Sequence, residues 1–143
     1  MFLVTRQYRF SASHRLHSSE LSDEANRELY GKCNHPYGHG HNYVVEVTAR
    51  GPLDEHGRAV DIGALDGLVR REVVAQFEHR NLNVEVARFE REVPTSENLA
   101  VEICRRLKGN WRSVFPGEWP KLQKVRIGET RKNIFEVEAD EIE

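Results

Sequence analysis

The sequence predicts an α+β fold: two strands, two helices and two strands, with the helices on one face of a four-stranded antiparallel sheet. Three observations lead there. Phe2, Val4, Tyr8, Phe10 and Ala12 alternate with more polar neighbours, the period of a half-buried strand. Ile62, Leu65, Val69, Val73 and Phe77 recur at spacings of three and four, the stripe of an amphipathic helix. Leu122 to Glu129 and Ile134 to Ala139 then form a second pair of strands around Thr130-Arg131-Lys132-Asn133. A chain of 143 residues is long enough for one core, so residues 1–143 are read as a single domain.

The first strand begins at Phe2, and the parity of its apolar residues runs on to His14. Between His14 and Cys33 lies a polar excursion longer than a hairpin needs, the kind of loop that is often functional. Ser18 to Ser22 carries turn and cap chemistry, Asp23 to Tyr30 reads as a short helix with acids in its first turn, and Gly31 ends it. The second strand enters through Tyr43-Val44-Val45-Glu46-Val47-Thr48-Ala49, and Arg50 to Gly57 is rich in breakers. Asp61 caps the first long helix, which Gly63 and Gly67 weaken without breaking its period and which ends near Glu78 to Asn83. Thr95 caps the second, with Leu99, Ile103 and Leu107 as its stripe; Cys104, beside them, is a small core residue. Trp111 to Pro120 reads as a loop. Such a sheet leaves two free edges, Phe2–Phe10 and Ile134–Ala139, that invite association with further copies.

Composition narrows the function. With 38% hydrophobic and 31% charged residues, the chain matches an ordinary soluble protein and neither a disordered nor a membrane-spanning one. No run reaches the apolar length of a membrane helix, and Met1 to Arg6 turns polar too early for a signal peptide. A net charge of −2 offers no electrostatic case for nucleic acid. Two cysteines in unlike contexts point to reduced thiols and a cytoplasmic setting.

Chemistry concentrates in Gly31-Lys32-Cys33-Asn34-His35-Pro36-Tyr37-Gly38-His39-Gly40-His41-Asn42-Tyr43. His39 and His41 stand where loop becomes strand, and residues two apart in an extended chain share a face. Both therefore reach one ion from one side of the sheet. If the first two strands pair antiparallel, His14 lies beside them and completes a three-histidine set. Zinc suits such a set, with a fourth position open to water or substrate. His35 reads as a turn residue or an extra proton carrier, His17 has no evident ligand role, and His56 belongs to an exposed turn.

Phe10-Ser11-Ala12-Ser13-His14-Arg15-Leu16-His17, Gly31-Lys32-Cys33-Asn34, Gly38-His39-Gly40-His41-Asn42-Tyr43, His79-Arg80-Asn81-Leu82, Thr95-Ser96-Glu97-Asn98 and Glu129-Thr130 follow one another in this order. Together they resemble the 6-pyruvoyltetrahydropterin synthases and their bacterial relatives, the 6-carboxytetrahydropterin synthases of queuosine biosynthesis, through essentially the whole chain. The resemblance implies a T-fold subunit, trimers that close their sheets into a barrel, and two trimers stacked as a hexamer. It implies zinc on His14, His39 and His41, and 7,8-dihydroneopterin triphosphate as substrate.

The resemblance also implies roles. Cys33 matches the base and His79 the second proton carrier, with Glu78 where an Asp is usual. Glu129, on the parity of Val125 and Ile127, matches the pterin anchor, since a carboxylate accepts two parallel N–H bonds from an aminopyrimidine edge. Thr95, Ser96 and Glu97 match a second recognition segment, although cap chemistry alone also explains them. Arg15, Lys32, Arg131 and Lys132 are the cations near these motifs for a triphosphate. Cys33 read without the family is an inert thiol or a fourth zinc ligand, and His79 a residue at a helix end. Two function classes stand: a zinc-dependent lyase, or a non-catalytic zinc-stabilised module that binds pterin or a protein. Within the lyase reading, the Cys-Asn…Gly-His-Gly-His loop resembles the pyruvoyl-forming type, while the carboxy-forming type shares the metal, thiol and anchor.

Overall fold

The computed structural model describes residues 1–36, 38–129 and 132–143. Tyr37, Thr130 and Arg131, all named above, lie outside the described residues. Strand β1 (Phe2–His14) turns its even-numbered side chains inward, and Tyr8, Phe10, Ala12 and His14 are buried. It pairs antiparallel with β2 (His39–Gly51) in unbroken register from Phe2↔Gly51 to His14↔His39. β3 (Lys121–Gly128) pairs with β2 across an irregularity at Thr48/Ala49, and β4 (Ile134–Glu138) pairs with β3. The order β1-β2-β3-β4 makes one four-stranded antiparallel sheet among the described residues, with β1 and β4 at its edges.

Caps set the helices where the sequence places them. Ser22 accepts from the Ala25 N–H to start α1 (Asp23–Tyr30), and Gly31, at φ 55°, ends it in a conformation that glycine tolerates best. Asp61 accepts from the Ala64 N–H to start α2 (Ile62–Val69). That helix continues through a π-helical stretch, Arg70–Val74, into the short α3 (Ala75–Phe77). A further turn, α4 (Leu82–Glu85), precedes α5 (Ser96–Val114), which Thr95 caps by accepting from the Asn98 N–H. Leu65, Leu68, Val69, Val73 and Phe77 pack with Leu99, Ile103 and Leu107 over the inner sheet face.

Three expectations need correction. Trp111 to Val114 is helix, not loop, because Trp111 extends the Leu107 stripe by one turn. Its buried indole N–H donates to the Pro120 carbonyl at 2.9 Å and ties the following loop back. Ile62 is 43% exposed at the helix start, while Leu68 takes the buried place. The wider π turn also departs from the strict 3.6 period that the stripe assumed. Neither α4 nor the 3₁₀ turn Ala87–Glu90 was predicted, yet Leu82, Val86 and Phe89 anchor that segment in the core.

One charged residue sits on the inward parity of β1. Arg6 forks onto Asp66 of α2, with Nε to Oδ1 at 3.2 Å and an NH2 to Oδ2 at 2.9 Å. Tyr8 Oη donates to Oδ1 of the same carboxylate at 2.7 Å. The Arg6 hydrogen bonds, helped by Tyr8 and opposed by partial burial, hold the Asp66 carboxyl below its ordinary value of 3.8. A depressed carboxyl pKa contributes stability above the unfolded value and loses it as pH falls through the folded value. Asp66→Asn should therefore lower the urea midpoint at pH 7, and the gap from the parent should narrow as pH falls below 3.8 through the depressed folded value. A pH-independent gap would sink this account.

Candidate metal centre

Strand register carries three imidazoles to one end of one sheet face. His14 stands opposite His39, and Ala12 opposite His41, so all three rings lie on the helix-covered side. The methyl side chain of Ala12 leaves His41 room beside His14, their ring centroids 4.4 Å apart. The 3₁₀ turn Gly31–Asn34 adds Cys33. His39 Nε2 lies 3.1 Å from Cys33 Sγ and 3.1 Å from His41 Nε2. One donor atom from each of His14, Cys33, His39 and His41 falls within 4.8 Å of the other three.

The fold holds the thiol there deliberately. Asn34, buried next to Cys33, donates its side-chain amide to the Leu16 carbonyl at 2.8 Å, and its Nδ2 lies 3.0 Å from His17 Nδ1. The Leu16 N–H donates to the Cys33 carbonyl at 2.7 Å, closing the clamp on both sides. Asn26, also buried, donates to the carbonyls of Ser18 and Ser22 and accepts from the Ser18 N–H. Gly38 then returns the chain to β2 at φ 70°, where a Cβ would stand 2.6 Å from the His14 carbonyl oxygen. Only glycine fits that approach.

Hydrogen bonds on the far ring nitrogens leave the near ones bare. His41 Nδ1 donates to Glu129 Oε1 at 2.6 Å, so its Nε2 carries the lone pair. His14 Nδ1 lies 3.1 Å from Tyr43 Oη, and the Pro94 backbone acts weakly to raise the ring's pKa. His14 Nε2 is buried and has no hydrogen-bond partner. Burial first, then repulsion from His41 and His39, pushes the His14 pKa down to about 3. Burial also lowers His41, against the pull of Glu129, and burial followed by Glu129 raises the Cys33 thiol. Three imidazoles facing one another, with the unpartnered His14 Nε2 among them, form a donor set suited to a cation. The donor types and their convergence fit a borderline-soft divalent ion.

Glu129 follows β3 and reaches this site, where Ser96 Oγ donates to its Oε2 at 2.7 Å. Its two oxygens are thus already engaged, with lone pairs to spare. Thr95 serves as the α5 cap, and Glu97 is exposed in the first turn. The structure does not bring His79 or Glu78 to Cys33. His79 is exposed, 3.7 Å from Glu78, at the outer edge of β1. Its backbone N–H donates to the Ser11 carbonyl at 2.6 Å, with φ at 59°. Tyr43 and Asn34 are the support residues that sequence reasoning missed. Period two from His41 would have found Tyr43, whereas nothing local points to the Asn34 clamp.

A T-fold-like α+β subunit with a metal-ready imidazole–thiol set at its sheet end is therefore the class that fold and site define. The profile described as 6-pyruvoyl tetrahydropterin synthase matches residues 3–140. The chain belongs to that family. It is 46% identical over 132 residues to the 6-pyruvoyl tetrahydrobiopterin synthase of Poecilia reticulata, covering 92% of this chain and 86% of that protein. A solved 6-pyruvoyl tetrahydropterin synthase from Caenorhabditis elegans superposes with a TM-score of 0.84 at 42% identity, over 96% of this chain and 94% of that one. A putative 6-carboxy-5,6,7,8-tetrahydropterin synthase of Archaeoglobus fulgidus is 34% identical over 99 residues, 69% of this chain and 74% of that protein.

Cobalt(II) titration should give one tight site per chain with visible d–d absorption. His14→Ala should weaken it more than Glu129→Gln, which removes a ligand's support at a cost of about 10–100-fold. Equal affinity in the parent and in His14→Ala would exclude this centre. A sulfur-to-cobalt charge-transfer band that is absent in Cys33→Ser would mark the thiolate as a fourth ligand.

Proposed function

We propose that this chain is a zinc-dependent lyase that eliminates triphosphate from 7,8-dihydroneopterin triphosphate to give 6-pyruvoyltetrahydropterin. The observation that carries the reading is the orphaned His14 Nε2 facing His39, His41 and Cys33 in a chain of this family. His14, His39 and His41 hold the zinc. When bound, it lowers the pKa of substrate hydroxyls and polarises a developing carbonyl. Cys33, as thiolate, takes the proton from the side-chain carbon. Glu129 keeps the His41 tautomer and offers its remaining lone pairs to the aminopyrimidine edge of the pterin. Ser96 orients that carboxylate, and Thr95 and Glu97 complete the recognition segment.

His79, with Glu78, is the second proton carrier, and its exposure at a sheet edge indicates that it serves the site of a neighbouring copy. The edges carry exposed Phe2, Leu3 and Ile134, apolar side chains that water leaves unpartnered. Trimers that close twelve strands into a barrel, stacked as hexamers, use those edges. The reading takes residues 1–143 as one domain. Two free cysteines, and no described helix long and apolar enough to cross a membrane, accord with a cytoplasmic enzyme. The relative from Archaeoglobus fulgidus favours a second reading, the carboxy-forming reaction that also releases acetaldehyde.

Zinc-loaded protein incubated with 7,8-dihydroneopterin triphosphate should yield 6-pyruvoyltetrahydropterin without acetaldehyde, read by mass spectrometry. 6-Carboxytetrahydropterin with acetaldehyde would select the second reading, and no turnover would leave a pterin-binding module. Cys33→Ala should cut turnover by about 10²–10⁴-fold, and full activity in that variant would overturn its role as base. His79→Gly should lose turnover yet keep its thermal midpoint, because glycine adopts the positive φ at less cost than histidine.

A further inference from the structure

Phe77, Glu78, His79 and Arg80 form a β-turn, closed by the Arg80 N–H donating to the Phe77 carbonyl at 3.0 Å. Glu78 lies at φ −60° and ψ 129°, and His79 at φ 59°. This is the type II pattern, whose second central position needs a positive φ and favours glycine or asparagine. His79 is the one non-glycine residue with a positive φ among the described residues. Glycine would make the same turn at less cost, so the strain marks a place where an imidazole is wanted. Glu78, at 3.7 Å, is the ring's sole ionic or hydrogen-bonding partner among the described residues. The backbone of the turn must therefore aim it.

That backbone is pinned at both ends. On the sheet side, the His79 N–H donates to the Ser11 carbonyl at 2.6 Å and the Ser13 N–H donates to the Arg80 carbonyl at 3.0 Å. On the helix side, Phe77 opens the turn, is fully buried and packs on Phe10 at 5.7 Å. The Arg106 guanidinium of α5 lies 5.0 Å from the centre of the Phe77 ring. Its Nε donates to Glu102 Oε2 at 2.6 Å, and Glu102, itself buried, also accepts from Arg88 at 3.5 Å. A planar guanidinium can bond a carboxylate in its plane while its face rests on an aromatic ring. We propose that Arg106 is a positioning residue for His79: held by Glu102 and stacked on Phe77, it fixes the first residue of the turn and with it the direction of the imidazole. The role of that imidazole as a proton carrier rests on the function proposed above. A misplacement of about 1 Å at a proton-transfer group costs up to roughly 10²-fold in rate, so a residue outside the reacting centre can govern kcat.

Arg106→Lys keeps the charge within reach of Glu102 and removes the planar group from Phe77. In zinc-loaded protein it should lower kcat about tenfold, leave KM within about twofold and keep the parent's cobalt affinity. In a His79→Gly background it should change the residual turnover no further, because its effect passes through the imidazole. Nitrogen–proton NMR spectra should show the His79 ring signals moved or broadened in Arg106→Lys, with those of His56 unchanged. Trp111→Phe, which loses the indole bond to Pro120 elsewhere on α5, is the destabilised control and should keep the parent's kcat and His79 signals. Unmoved His79 signals in Arg106→Lys, a parent-like kcat, a further loss in the His79→Gly background, or the same changes in Trp111→Phe would each overturn the positioning role. Failure of the proposed reaction reads differently: the parent turns over no pterin, while the His79 signals still respond to Arg106→Lys and not to Trp111→Phe.

Discussion

The register between β1 and β2 is the constraint on which core and site both depend. Side chains alternate with a period of two, so a one-residue slip would turn Tyr8, Phe10 and Ala12 outward and carry His14 to the face opposite His39. Nothing interrupts the pairing from Phe2↔Gly51 to His14↔His39. Along the inner face the rows follow one another: Phe10 with Tyr43, Ala12 with His41, His14 with His39. Phe10 stacks on Tyr43 at 5.2 Å and packs on Phe77 at 5.7 Å, while Tyr43 Oη reaches His14. The imidazole set is thus the last row of the hydrophobic core. The burial that stabilises the sheet is the same burial that keeps His14 neutral.

That continuity explains the electrostatics of the centre. An exposed histidine cluster would relieve its crowding by protonation and water, but His14 is 1% exposed and has neither remedy. Glu129 supplies one negative charge, spent on fixing a tautomer through a 2.6 Å hydrogen bond to His41. A second anion, the Cys33 thiolate, is disfavoured by the same Glu129 and by burial. A divalent cation changes the sign of each of these costs at once. It meets the bare nitrogens, offsets the carboxylate and favours the thiolate.

Much of this was legible because the signals are local. Period-two patterning located β1 and predicted the partnership of His14 with His39 and His41, and Ser22, Asp61 and Thr95 stand as caps where their chemistry places them. Trp111 lies inside α5 one turn after Leu107, although Pro116, Gly117 and Pro120 mark the chain just beyond it as loop. The π stretch Arg70–Val74 leaves no mark in residue types. Tertiary proximity was least visible. Glu129 had the right parity, but its bond to His41 joins segments almost ninety positions apart. The exposure of His79 follows from a backbone bond to Ser11 that no pattern encodes.

The length of the excursion between β1 and β2 has a physical reason in that arrangement. A tight hairpin would join His14 to His39 directly and leave the open end of the imidazole set to solvent. The longer route lets a 3₁₀ turn swing Cys33 back to 3.1 Å from His39, held by Asn34 on Leu16 and by Leu16 on Cys33. Asn26 and His17 fasten the far side of the excursion to the same segment, so hydrogen bonds tie α1 to the turn that carries the thiol. The sheet determines where the ligands are, and the excursion determines what they face.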